Sequence, residues 1–169
     1  LPDGSYWNGS GCGNEFASEH PMARKFMLDS VKYWVSEYGV DGFRFDLMGL
    51  HDLETMLLIR DELRKINPSV LVYGEPWTGG ASGLAQITDQ QRVAGTGIGA
   101  FNDRIRDAIK GGRDGGASGF VQTGVSGDAI LRGIRGAVGD WAKEPGECLT
   151  YCECHDNLTL LDRLGITAT

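Results

Sequence analysis

Two carboxylates close two short β-type runs: Asp46 ends Val40-Asp-Gly-Phe-Arg-Phe-Asp-Leu47, and Glu75 ends Val70-Leu-Val-Tyr-Gly-Glu75. Side chains alternate along a strand, so Arg44 and Asp46 share one face and the two phenylalanines the other. A guanidinium beside a carboxyl favours the ionised form. If the two runs are neighbouring parallel strands, their ends lie about 4.8 Å apart. Retaining glycoside hydrolysis needs a nucleophile and an acid/base about 5–5.5 Å apart. Neighbouring strands supply that spacing without a special loop. Taken singly, each carboxylate also reads as structural, Asp46 in an ion pair with Arg44 and Glu75 capping a loop. A third polar group, His155-Asp156-Asn157, follows another β-type run and offers donors and acceptors suited to a polyhydroxylated ligand.

The elements between these groups set their positions. Pro21 to Tyr38 reads as a helix, with Met27, Val31, Trp34, Val35 and Tyr38 at three- and four-residue spacing and Gly39 as its stop. Met22, Met27 and Met56 read as core. A second helix runs from the N-cap Asp52 to Ile66, with Leu53, Met56, Leu57, Leu63 and Ile66 inward; Asn67-Pro68 ends it. Strand, helix and strand within forty residues make a βαβ unit with parallel strands. Further on, a strand-to-helix stretch covers Ile98 to Lys110, a helix Gly127 to Val138, a strand Cys148 to Glu153, and a helix start Leu158 to Leu164. Four βα repeats amount to half of a (β/α)₈ barrel, which takes about 250 residues. The fold class is α/β, a partial TIM barrel. The chain opens in a Gly/Asn-rich loop and its last helix is only beginning, so residues 1–169 read as one barrel-domain fragment, cut at both ends. Alone they are expected to be poorly stable and inactive.

Composition narrows the partners. With 16 basic and 23 acidic residues, a net charge of −7, the chain lacks the basic face that nucleic acid or an anionic membrane requires. No apolar run approaches the roughly 20 residues of a membrane span. Twenty-six glycines without a period mark a loop-rich globular protein. Of the four cysteines, Cys148, Cys152 and Cys154 cluster beside His155. They read as buried free thiols, because extended chain sets Cys152 and Cys154 about 7 Å apart, wide for one tetrahedral ion. Free thiols favour the cytoplasm. Asn8, Asn14 and Glu15 read as a solvated loop, with a calcium site or a place in the substrate cleft as the alternatives. His20 reads as structural.

Asp41-Gly-Phe-Arg-Phe-Asp46-Leu-Met-Gly-Leu-His51-Asp52, Val72-Tyr-Gly-Glu75-Pro-Trp77 and Glu153-Cys-His155-Asp156-Asn157-Leu-Thr-Leu resemble three of the four signature regions of the α-amylase superfamily. Ser10-Gly-Cys-Gly-Asn14 with Ala17-Ser-Glu-His-Pro-Met22 is similar to a loop of type I pullulanases. The resemblance implies strands four to seven of the barrel, and Asp46 as nucleophile, Glu75 as acid/base and Asp156 as transition-state stabiliser. It makes Arg44 the residue that holds the nucleophile, and His155 a contact to sugar hydroxyls. Trp77 could stack on a pyranose or wedge the loop, and His51 touch substrate or close a loop. The activity implied is retaining cleavage of α-1,6 branch bonds in an α-glucan, without metal or other cofactor. In that reaction Glu75 must carry a proton, which burial and the negative charges of Asp46 and Asp156 would favour. Pro76 and the Gly-Cys-Gly-Asn loop also suit isoamylase-like debranching enzymes; a branching transglycosylase would share the first chemical step. A zinc-stabilised or carbohydrate-binding module is the non-catalytic alternative. Oligomeric state is not legible.

Overall fold

The computed structural model describes residues 1–113 and 116–167, which divide into two compact units, 1–100 and 101–169. In the first, α1 (Pro21–Tyr38) leads into β1 (Gly42–Phe45), a 3-10 turn (Met48–Leu50), α2 (Leu53–Ile66), β2 (Leu71–Gly74), the short α3 (Gln90–Val93) and β3, which begins at Gly99. β1 pairs with β2 in parallel, Gly42 opposite Leu71 through Phe45 opposite Gly74, and β2 pairs in parallel with Gly99 and Ala100 of β3. Each strand's spatial neighbour is thus the next strand in sequence, as right-handed βαβ crossovers produce.

Both long helices have the expected bounds for identifiable reasons. α1 carries proline in its first turn and stops where Gly39 takes a left-handed φ of 64°, its N–H donating back to Trp34 and Val35 carbonyls. The Asp52 carboxylate accepts the Thr55 N–H (3.0 Å) at the start of α2, and the Arg24 guanidinium of α1 donates to it (3.1 Å). Arg24 also reaches Thr55 Oγ1, whose hydroxyl donates to Ser18 O. This part-buried polar knot fixes α1 against the N-terminus of α2. Replacing Asp52 by Ala should cost about 1 kcal/mol for the cap alone, read as a lower urea midpoint at unchanged slope.

Met27, Val31 and Val35 face inward with Met56, Ile59 and Leu63. The expected inward stripe is too wide, however. Trp34 is 45% exposed and Tyr38 62%, while Met22, assigned to the core, is 75% exposed. The 27/31/35 row already fills the contact with α2, and Trp34 and Tyr38 lie on the next row, each edge-on to Tyr33 instead. At the end of α2, Ile66 is likewise exposed and Leu53 and Leu57 are half-buried.

The second unit holds α4 (Asp103–Lys110), α5 (Phe120–Thr123), α6 (Gly127–Ile134), β4 (Cys148–Leu149) and α7 (Leu160–Thr167). Asn102 caps α4 through its side chain and donates its own N–H to Leu149 O (3.1 Å), which pairs the chain leaving β3 at Phe101 with β4. α4 packs on α6, where a Cβ on Gly133 would lie 2.4–2.7 Å from the Ile105 side chain. Only glycine admits that approach. α6 ends four residues earlier than expected, as Gly136 (φ 72°) and Ala137 (φ 54°) turn left-handed. β4 is shorter than the expected Cys148–Glu153. Past Leu149 the Tyr151 hydroxyl accepts from Arg106 (2.9 Å) and the Glu153 carboxylate accepts the Leu160 N–H, so these residues serve the helices rather than a strand. Burial pushes the Tyr151 hydroxyl up to about 12 despite the opposing pull of Arg106. All four cysteines are free, and none is fully buried: Cys12 is exposed and the other three are half-buried. Among the described residues, no helix is long and apolar enough to cross a membrane.

Candidate active site

The parallel register decides how the two carboxylates of the first unit meet. Phe45 lies opposite Gly74, so Asp46 and Glu75, each one residue further on, leave neighbouring strands at the same level. They emerge at the carboxyl ends, where barrel enzymes carry their chemistry. Arg44 joins them: one guanidinium nitrogen lies 2.7 Å from Asp46 Oδ1 and the other 3.0 Å from Glu75 Oε1. The two acids differ sharply in setting. The Asp46 side chain is 72% exposed, and that of Glu75 only 8%.

Glu75 is held by one stretch of chain, residues 44–49. Its N–H donates to Phe45 O (3.1 Å), and its carbonyl accepts the Gly49 N–H (3.1 Å). Its Oε2 accepts the Leu47 N–H (2.7 Å), while Oε1 faces Arg44. Glu75 is expected to be buried with negative neighbours. It is buried, but each oxygen faces a donor. Leu47 makes its contribution with a left-handed φ of 41°, a conformation that costs a non-glycine residue about 1 kcal/mol or more. No residue pattern announces that turn. Gly49 had a legible signal, a glycine three residues after the candidate nucleophile. A Cβ there would lie 2.4–2.9 Å from the Trp77 backbone, so the chain from Glu75 to Trp77 can lie close only over glycine. Gly49→Ala should push that chain outward. With Glu75 as the candidate acid/base, a displacement of about 1 Å should lower kcat roughly 100-fold, with KM little changed.

His51 follows the 3-10 turn. Its ring stands edge-on to Phe45 (centroids 5.6 Å apart), and its Nδ1 is buried without a hydrogen-bond partner. Burial lowers its pKa below the ordinary 6.5. Between that lowered value and 6.5 the unfolded chain binds more protons than the folded one, so stability rises with pH there and is lost as pH falls. His51→Gln should flatten this acid-side decline in melting temperature. Trp77 is half-buried, its backbone over Gly49.

The N-terminal loop is stapled rather than merely solvated. Glu15 Oε2 accepts the Gly9 N–H, and its Oε1 accepts Ser82 Oγ and the Gly83 N–H. Asn8 Oδ1 accepts the Gly13 N–H. Donors thus already engage the side-chain oxygens of Asn8 and Glu15 that a calcium ion would use. His20 sits at the entry to α1 with its side chain 70% exposed.

In the second unit His155 and Asp156 lie on the exposed turn before α7, with His155 Nε2 3.6 Å from Asp156 Oδ2 and Asn157 left-handed (φ 62°). Three of the candidate residues, Arg44, Asp46 and Glu75, are thus brought together within one unit, while His155 and Asp156 form a pair of their own in the other.

No family model matches the chain. It is 41% identical over 170 aligned positions to the pullulanase of Bacillus subtilis (strain 168), across 94% of this chain and 23% of that protein. The chain is a pullulanase homologue. Its fold superposes on the pullulanase from Bacillus acidopullulyticus with a TM-score of 0.93 at 51% identity, covering 97% of this chain and 21% of that one. Against the pullulanase of Anoxybacillus sp. LM18-11 complexed with maltotetraose the TM-score is 0.92 at 41% identity, covering 99% and 25%. This pullulanase homologue spans about a quarter of the length of the proteins it matches.

Proposed function

We propose that the chain is the catalytic portion of a retaining glycoside hydrolase that cleaves α-1,6-glucosidic branch bonds in pullulan, glycogen or limit dextrins. In this reading residues 1–169 form part of one (β/α)₈ barrel domain, with β1 to β4 as its strands four to seven. Asp46 attacks the anomeric carbon while Glu75 protonates the departing oxygen. Water then releases the glucosyl-enzyme, with Glu75 acting as base. Asp156 is assigned the transition-state charge and His155 the sugar hydroxyls, both from their motif. Trp77 offers a ring face for a pyranose. His51, edge-on to Phe45, backs the strand that delivers Asp46 and is the third candidate for a sugar contact. The maltotetraose bound by the Anoxybacillus pullulanase supports an α-glucan as ligand.

One observation carries the proposal: a single guanidinium spans an exposed and a buried carboxylate at level ends of adjacent parallel strands. Arg44 orients the exposed acid for attack, and the buried one is placed one strand spacing away, about 4.8 Å, near the separation of the retaining mechanism. The test is incubation of the complete enzyme with pullulan, following reducing ends and the anomeric configuration of the first product. New reducing ends with retained configuration are expected. Inverted product would remove Asp46 from the nucleophile role, and new branch points without reducing ends would replace hydrolysis by transfer.

A further inference from the structure

Cys154, His155 and Asp156 bring one sulfur, one nitrogen and one oxygen within 4.8 Å of one another. We propose that these three side chains form an inhibitory site for a thiophilic divalent cation such as zinc or cadmium, and that its occupancy withdraws Asp156 from the reaction. The inhibitory half rests on the role assigned to Asp156 above; the site itself does not.

The geometry differs from the zinc arrangement weighed from the sequence. Cys152 and Cys154 lie beyond the end of β4, with a bend at Cys152, and after Cys154 the backbone turns. The Asp156 N–H donates to Cys154 Sγ (3.4 Å), and the same sulfur lies 3.8 Å from Asp156 O. The thiol therefore folds over the residue whose carboxylate would be its co-ligand. His155 Nε2 and Asp156 Oδ2 are already 3.6 Å apart. Bond lengths of about 2.3 Å to sulfur and 2.0–2.2 Å to nitrogen and oxygen place tetrahedral ligand atoms roughly 3.5 Å apart. The imidazole and carboxylate meet that spacing as they stand, and both side chains are more than half exposed, free to close on an ion.

Donor chemistry sets the ion class. A thiolate and an imidazole select zinc or cadmium over calcium or magnesium, which take oxygen ligands. On binding, the thiol proton passes to solvent, and the two anionic donors neutralise the dication. Three protein ligands leave the fourth position to water, unlike the closed four-ligand set of a structural zinc. The Asp156 carboxylate, committed to the ion, no longer faces a developing positive charge on sugar.

Cadmium titration of the complete enzyme tests this. An ultraviolet thiolate-to-cadmium charge-transfer band should appear in step with loss of pullulan cleavage, and a chelator should reverse both. Cys154→Ser should keep the metal-free rate, lose the band and raise the inhibitory cadmium concentration roughly 100-fold or more, since even outer-shell partners of a metal contribute 10–100-fold. His155→Gln should weaken the band without abolishing it. Equal inhibition of the parent and Cys154→Ser would overturn the site, as would a band unchanged in both His155→Gln and Asp156→Asn, which would mark a lone thiol. A cysteine-dependent band with full cleavage would overturn the inhibitory half. The metal-free rate of Asp156→Asn checks that residue's assigned role separately.

Discussion

Asp46→Asn in the complete enzyme should lower kcat on pullulan by about 10⁴-fold or more, the scale seen when a member of a catalytic set is removed. The asparagine oxygen can still accept the Arg44 hydrogen bond of 2.7 Å, and the side chain is mostly solvent-exposed. Folding should therefore be nearly unaffected, and the loss should be chemical. An amide nitrogen or oxygen at that position does not form the glycosyl ester. Mass spectrometry of enzyme quenched during turnover of a slow substrate should show a glucosyl adduct on the parent and none on the variant. An adduct on the variant, or turnover within tenfold of the parent, would displace Asp46 from the centre of the mechanism.

The second large effect is expected at Glu75, and it should depend on the leaving group. Glu75→Ala removes the acid that protonates the departing oxygen, a contribution of roughly 10²–10⁴-fold for a glucan whose leaving group is a poor one. A substrate with an acidic phenol as leaving group needs no such proton, so its first step should be largely spared. Azide, which attacks without a base, should then restore turnover and yield the glucosyl azide of retained configuration. Absence of azide rescue, with equal losses on both substrates, would point to a structural role for Glu75. Glu75→Gln is the less clean variant. Its amide nitrogen would face either Arg44 or the Leu47 N–H, both donors. The same pair of donors bears on the wild-type cycle. A carboxylic acid carries its proton on one oxygen, so Glu75 must turn that oxygen away from its donor before it can serve as acid.

Much of this arrangement was legible before any coordinates. α1 and α2 kept their bounds because proline, the Asp52 cap and Gly39 punctuate them unambiguously, and a helix between two β-type runs implied adjacent parallel strands. What could not be read were features settled by neighbours distant in sequence. Trp34 and Tyr38 satisfy helical periodicity yet stay outside, since a contact with α2 accommodates only the row of Met27, Val31 and Val35. β4 stops at Leu149 because Arg106 and Leu160 recruit the residues beyond it. The paired donors on Glu75 depend on a left-handed leucine that no propensity favours. Motif spacing placed the acids on neighbouring strands, but the degree to which one was buried and the other open came only from the packing of residues 44–49.

That short stretch has a bearing on how change elsewhere in the chain is tolerated. Glu75, the proposed proton donor, takes its bearings from the segment that also carries the proposed nucleophile, not from the chain that follows it. The surroundings can therefore be lengthened or recast without disturbing the six-residue jig that holds the two acids in register.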